Sequence, residues 1–206
     1  LLPFDEELFE EEIYSAIYEK VKSMLLSDEK LLPTKHGGYS HPTDSILARG
    51  KELTNLLNQS DIQLLFDRSH WLSTDITYDR TQALRDYIIN ELDVDEITFE
   101  DFANEISEEF IKGKTDAWII GFYKKLRYQA ALFREKDRFN RSGILRAKPI
   151  IRLKQNEHCT PFDDNDIIQV YFPGKSKSKY KVIKPVIAKD KQASKFLKDL
   201  GVTKPD

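Results

Sequence analysis

Only one cysteine, Cys159, stands among the 206 residues, so no internal disulfide framework can form and a reducing, cytoplasmic setting is expected. No apolar run approaches the roughly 18 residues a membrane helix needs, and no signal peptide is recognisable, so no membrane partner is expected. The Cys-x-x-Cys, His-Glu-x-x-His and His-x-x-x-His spacings are missing, which removes the common zinc frameworks. Gly-x-Ser-x-Gly and Gly-x-Gly-x-x-Gly are missing as well. The chain opens Leu1-Leu2-Pro3 without a methionine and is expected to be a segment of something longer.

What is present fits a soluble globular protein with one good core or two small ones: 40% apolar and 33% charged residues. The net charge of −3 conceals a polarity. Residues 1–103 carry 9 Lys/Arg against 22 Asp/Glu, and residues 104–206 carry 23 against 13. Within 122–154 there are eleven basic residues and two acidic ones, Glu135 and Asp137. Such a field can steer an anionic partner to the second half, attract the other half or an acidic neighbouring domain, or belong simply to solvated helix faces.

The stretch 149–173 organises the chain. Ile150, Ile151 and Leu153 form a strand, Gln155-Asn156 a turn, and Val170-Tyr171-Phe172 a further strand stopped by Pro173-Gly174. An earlier stretch has the same spacing, 119 residues upstream: Leu31-Leu32-Pro33-Thr34, Gly37-Gly38-Tyr39 and Pro42-Thr43-Asp44. The expected fold is α+β and mostly helical. Two related short antiparallel hairpin modules, about 30–44 and 149–173, flank a helical middle. The expected divisions are an N-terminal amphipathic helix (1–28), the first hairpin with a helical subdomain (29–140), and the second hairpin, a strand and a C-terminal helix (141–206).

Periodic apolar residues predict helices over 5–26, 51–57, 61–66, 116–133 and near the C-terminus, with further helices beginning at 79 and 98. The expected N-caps are Ser60, Asp79, Thr98 (with Asp101 closing a capping box), Thr115 and Asp190. Trp118, Ile119, Phe122, Tyr123, Leu126, Ala130 and Phe133 read as a core stripe rather than an interaction surface.

Candidate chemistry is sparse. Gly113-Lys114-Thr115 and Gly174-Lys175-Ser176 resemble the end of a phosphate loop, but Glu108 and Gln169 stand where its first glycine belongs. His158 and Cys159 alternate along a strand and face opposite sides, so they make no nucleophile–base pair. Asp163-Asp164-Asn165-Asp166 is the best cluster of hard oxygen ligands, yet it lacks the glycine and distal glutamate of a calcium loop and reads as an Asx turn. No catalytic, cofactor-binding or metal residue is assigned. An unrecognised enzyme site would need a cleft gathering Asp163, Asp166, His158 and an arginine. The remaining candidates form a basic surface for nucleic acid or an acidic partner: Arg127, Arg134, Arg138 and Arg141, near helical spacing, with Lys175, Lys177 and Lys179.

Several phrases carry a family resemblance. They are Leu31-Leu32-Pro33-Thr34 with Gly37-Gly38-Tyr39, Leu47-Ala48-Arg49-Gly50-Lys51-Glu52-Leu53, and Pro149-Ile150-Ile151-Arg152-Leu153. Pro161-Phe162-Asp163-Asp164, Val170-Tyr171-Phe172-Pro173 and Phe196-Leu197-Lys198-Asp199-Leu200-Gly201 complete the set. Together they resemble the region after the ATPase domain in large bacterial proteins of the sacsin and plant NO VEIN type, which begin with a histidine-kinase/Hsp90-like (GHKL) domain. The ATP-binding Asp-x-Gly-x-Gly turn of that domain does not occur here. The resemblance therefore implies a segment without cofactor of its own, ATP and Mg²⁺ belonging to the parent protein. It implies a non-catalytic relay or protein-interaction role in a chaperone-like or phage-defence-like machine, with the neighbouring ATPase domain or another protein as partner. The alternative is a nucleic-acid-binding module using the basic stretches 122–154 and 174–184.

Overall fold

Elements in this chain are short, and several helix starts are set by side chains that accept the free backbone amides. In the computed structural model, which describes residues 12–27, 30–135, 137, 141–174 and 179–205, the fold is α+β and mostly helical. Two compact units divide the chain: Leu1–Thr54 with Ile62–Ile97, and Asn55–Asp61 with Thr98–Asp206.

The first unit opens with α1 (Glu12–Leu26); the earlier part of the helix expected over 5–26 lies outside the described residues. A hairpin follows, β1 (Leu32–Pro33) against β2 (Tyr39–Ser40). Gly37 and Gly38 turn it with φ of +89° and +80°, a region that a Cβ disfavours. Strand β3 (Ser45–Ala48) is the centre of a parallel sheet, with β4 (His70–Trp71) on one side and β5 (Glu96–Ile97) on the other. Helices α2 (Lys51–Leu56) and α3 (Gln59–Phe66) lie in sequence between β3 and β4, and α4 (Gln82–Asn90) between β4 and β5. Leu32, Leu47, Leu72, Ile76, Ile88, Leu92 and Val94 make one apolar cluster.

The second unit continues through α5 (Phe99–Glu105), α6 (Glu108–Lys112) and α7 (Asp116–Leu126). Hairpin β6 (Ile151–Arg152) and β7 (His158–Cys159) is followed by the parallel pair β8 (Val170–Tyr171) and β9 (Lys181–Val182), then α8 (Pro185–Lys189) and α9 (Lys191–Asp199). Of the predicted stripe Ile119, Phe122, Tyr123, Leu126 and Phe133 are core and Trp118 is partly buried, whereas Ala130 is exposed. Phe102, Phe110, Phe122, Tyr123 and Phe196 are fully buried and join through ring contacts of 5.1–6.0 Å. Burial pushes the Tyr123 hydroxyl far up in pKa, and it donates to the Ile150 carbonyl at 2.6 Å.

The two hairpins share one register. Leu32 faces Ser40 and Ile151 faces Cys159; the Thr34 amide bonds the Gly38 carbonyl and the Leu153 amide bonds that of Glu157, all 119 residues apart. The correspondence extends beyond the hairpins. Thr34 bridges Leu72 as Leu153 bridges Ile183, and β3 pairs in parallel with β4 as β8 does with β9. The Leu47 amide bonds the Asp95 carbonyl, and the Phe172 amide bonds that of Thr203. Helices α4 and α9 both have nine residues and both precede that last strand segment. Each unit therefore carries the same module of hairpin, parallel strands and helix.

Three expectations are corrected. Thr98, Thr115 and Asp190 cap as expected, Thr98 with a complete capping box, but α3 is capped by Asn58, whose side chain accepts the Asp61 amide at 2.9 Å. Helix α4 begins after Thr81, not at Asp79. The helix expected over 116–133 stops at Leu126 and gives way to a 3-10 turn, Ala130–Leu132. Gly143 lies against the Leu132–Phe133 peptide at the end of that turn, too close for a Cβ. No helix among the described residues is long and apolar enough to cross a membrane.

Candidate functional site

Among the described residues, Arg127, Arg134 and Arg141 of the expected basic stripe do not lie along one helix. Arg127 is the C-cap of α7 and reaches Gln192. Arg134 is exposed on the following loop, which closes where the Gly143 amide bonds its carbonyl at 3.0 Å. On the same loop Arg141 is bound to Asp137 at 3.1 Å. Lys179 is exposed; Arg138, Lys175 and Lys177 lie outside the described residues. Arg134 and Arg141 thus share a loop, while Arg127 stands apart on the helix end.

The other candidates are occupied structurally. Lys114 of Gly113-Lys114-Thr115 pairs with buried Asp61 and lies over the Phe110 ring at 4.3 Å, while Thr115 caps α7. Asp163 folds its own loop, its Oδ1 accepting the Asn165 and Ile167 amides at 3.0 and 2.9 Å. Asp166 accepts from buried Arg146 at 2.8 and 3.0 Å, and Arg146 stacks on Phe162. A cleft of about 340 Å³ gathers Asp163, Asp166 and Arg146, but His158 is not among its walls. Burial, reinforced by the Arg152 charge, holds His158 down at about 4, and burial pushes the Cys159 thiol up to about 11. Both stay neutral near neutral pH. Among the described residues no three His, Cys, Asp or Glu side chains are grouped to hold a metal.

Two crevices at the carboxyl ends of the parallel strands were not foreseen. Such ends are where open parallel sheets bind ligands, particularly where successive connections leave in opposite directions, as around β3. In the first module the crevice measures about 290 Å³ and is walled by Ala48, Thr77, Tyr78 and Arg85. Arg85, 3% exposed, fills its inner end. Its Nε bonds Glu96 at 2.9 Å, its Nη1 the Ile76 carbonyl at 2.6 Å and its Nη2 the Ala48 carbonyl at 3.0 Å. Tyr78 donates to Glu96 at 2.9 Å and lies under the guanidinium, and Arg49 pairs with Glu96 from outside. Burial raises the Glu96 carboxyl, but hydrogen bonds from Arg85 and Tyr78 and the two arginine charges outweigh it and hold it below the usual range.

The second module's crevice is larger, about 770 Å³. Phe172, Pro173, Pro185, Ala188 and Val202 give it an apolar lining; among the described residues Lys189, Lys198 and Lys204 are its charged ones, and no carboxylate lines it. The sequence signal for both crevices is the repeat itself, whose spacing is legible only over the hairpins. No protein-family model, no curated protein and no solved structure matches the chain.

Proposed function

We propose that this chain is a non-catalytic protein-interaction and relay segment of a larger cytoplasmic GHKL-type ATPase, chaperone-like or phage-defence-like, with ATP and Mg²⁺ handled by a neighbouring domain. The observation that carries the reading is the outer face of α1. Ile17, Val21 and Met24, spaced four and three apart, remain 44–48% exposed, while Tyr18, Lys22 and Leu25 hold the helix to its unit. An apolar stripe left outside is a surface for a partner. Its natural partner is the adjoining ATPase domain.

The test is calorimetric titration of this chain with the ATPase domain of its parent protein. Val21→Asp with Met24→Asp removes two half-buried apolar contacts and should weaken binding about tenfold or more. Unchanged affinity in the folded variant, or no binding by the unaltered chain, refutes the reading.

A second reading, nucleic-acid binding, draws on Tyr128, 82% exposed beside Arg127 and one turn from Lys124 and Lys125. An exposed ring among cations can stack on a base. Binding of single-stranded DNA that weakens steeply with salt and on Tyr128→Ala supports it; no binding at low salt rejects it.

A further inference from the structure

The two modules superimpose in their hydrogen bonding, so their residues can be compared position by position. Asp95 and Thr203 are equivalent because their carbonyls accept the Leu47 and Phe172 amides; Glu96 therefore corresponds to Lys204. Ile76 and Ile187 are equivalent as well: each amide closes a turn on the carbonyl three residues back, and both side chains are buried. Arg85 is the fourth residue of α4, and Ser194 is the fourth residue of α9. Both line their crevices. Arg85, which lines the first crevice, and its carboxylate partner Glu96 thus correspond to a serine and a lysine in the second module.

That replacement has two physical consequences. The guanidinium that lines the first crevice has no counterpart in the second, whose volume is the larger. The charge changes as well. In the first module Arg85 and Arg49 are balanced at Glu96, whereas among the described residues the second crevice is lined by three lysines and no acid. An apolar floor with cations at its margin matches an apolar anchor flanked by carboxylates.

We infer that the crevice at the carboxyl ends of β8 and β9 is a docking groove for an acidic peptide segment of a partner protein. One or two apolar side chains lie on Phe172, Ala188 and Val202, and glutamate or aspartate pairs with Lys189, Lys198 and Lys204. The phosphodiester backbone fits less well because it has no aliphatic group for this floor. The inference rests on the protein-interaction reading but uses a different surface from α1.

The test is fluorescence anisotropy of the whole chain with a short labelled peptide alternating glutamate with leucine and phenylalanine. Two control peptides have glutamine for glutamate and serine for the apolar residues. Each control should bind at least about tenfold more weakly, since both halves of the recognition are needed. Lys198→Glu and Lys204→Glu alter exposed side chains and should each weaken binding severalfold with the fold intact. Ser194→Arg combined with Lys204→Glu rebuilds the first module's pair and should abolish binding. Equal binding of the glutamine peptide, indifference to the lysine reversals, or tighter binding of oligothymidylate at the same lysines overturns the inference. If the peptide fails while the ATPase domain still binds through α1, the groove assignment falls and the interaction reading stands. If α1 binding fails while the peptide binds and the lysine variants do not, the reverse holds.

Discussion

Removing the Glu96 carboxylate is the sharpest test of how the first module is held together. Arg85 is buried, and its charge is neutralised by one carboxylate and two carbonyl oxygens. Glu96→Ala leaves that guanidinium with the carbonyls alone. Breaking a buried pair from one side costs ~3–5 kcal/mol, because a charge is stranded away from water. The Arg49 contribution is small, since its side chain is 63% exposed and screened. We expect about 3 kcal/mol for Glu96→Ala. Arg85→Met should cost less, about 2 kcal/mol, because Glu96 keeps Tyr78 and Arg49. The double variant Arg85→Met, Glu96→Leu should cost about 2 kcal/mol less than the sum of the single changes. The assay is native-state hydrogen exchange at the Leu47 and Arg49 amides, which donate to Asp95 and Ile97 at 2.9 Å across β3–β5. A loss of 3 kcal/mol corresponds to roughly hundredfold faster opening. A cost below about 1 kcal/mol for Glu96→Ala, or additive single changes, would refute the claim that this pair is the module's electrostatic centre.

Two further expectations concern the second unit. His158 is neutral in the fold, with its pKa held at about 4, while the unfolded chain takes up that proton near 6.5. Stability should therefore fall as pH drops from about 6.5 to about 4 and change no further below that through this group, by about 2 kcal/mol after allowance for water entry. Urea midpoints measured across that range should show the slope in the native chain and lose it in His158→Leu; a slope that survives the substitution assigns it elsewhere. Gly143→Ala would place a methyl group inside the Leu132–Phe133 peptide and should cost about 3 kcal/mol, lowering Tm by roughly 10 °C. A calorimetric Tm within about 2 °C of the native value would show that the loop can yield.

Local chemistry was readable before the fold was known. Thr98-x-x-Asp101, Thr115 and Asp190 act as caps because capping needs only a side-chain oxygen next to free amides. The hairpin register followed from spacing, since turn residues fix which strand positions meet. The parallel pairs were missed because strands of two to four residues are too short to carry a hydrophobic period. The α7 stripe continues in sequence through Ala130 and Phe133, yet the helix stops at Leu126 and gives way to a 3-10 turn that apolar spacing does not distinguish from more helix. Buried Arg85, Arg146 and Arg152 were also invisible, for an arginine reads as solvated unless its carboxylate and carbonyl partners are already known.

The two crevices show how one repeated module is completed in two ways. A cleft at the ends of parallel strands is an intrinsic product of the topology, whatever residues line it. Left open and apolar, it costs the fold packing that the surrounding atoms would otherwise make. In the first module Arg85, held by Glu96, takes up part of that gap and donates to the Ile76 and Ala48 carbonyls at the same time. In the second, Phe172 and Val202 are 6% and 2% exposed, so the floor is already packed from beneath and the groove can remain open without such a pair. The core of that unit is strengthened elsewhere, by the rings linking Phe102, Phe122, Tyr123 and Phe196. A module stabilised from below can lose that pair and expose the crevice to a partner; one that relies on the pair cannot. Ser194→Arg with Lys204→Glu should therefore abolish peptide binding while adding little stability, whereas removing either Arg85 or Glu96 should destabilise the first module.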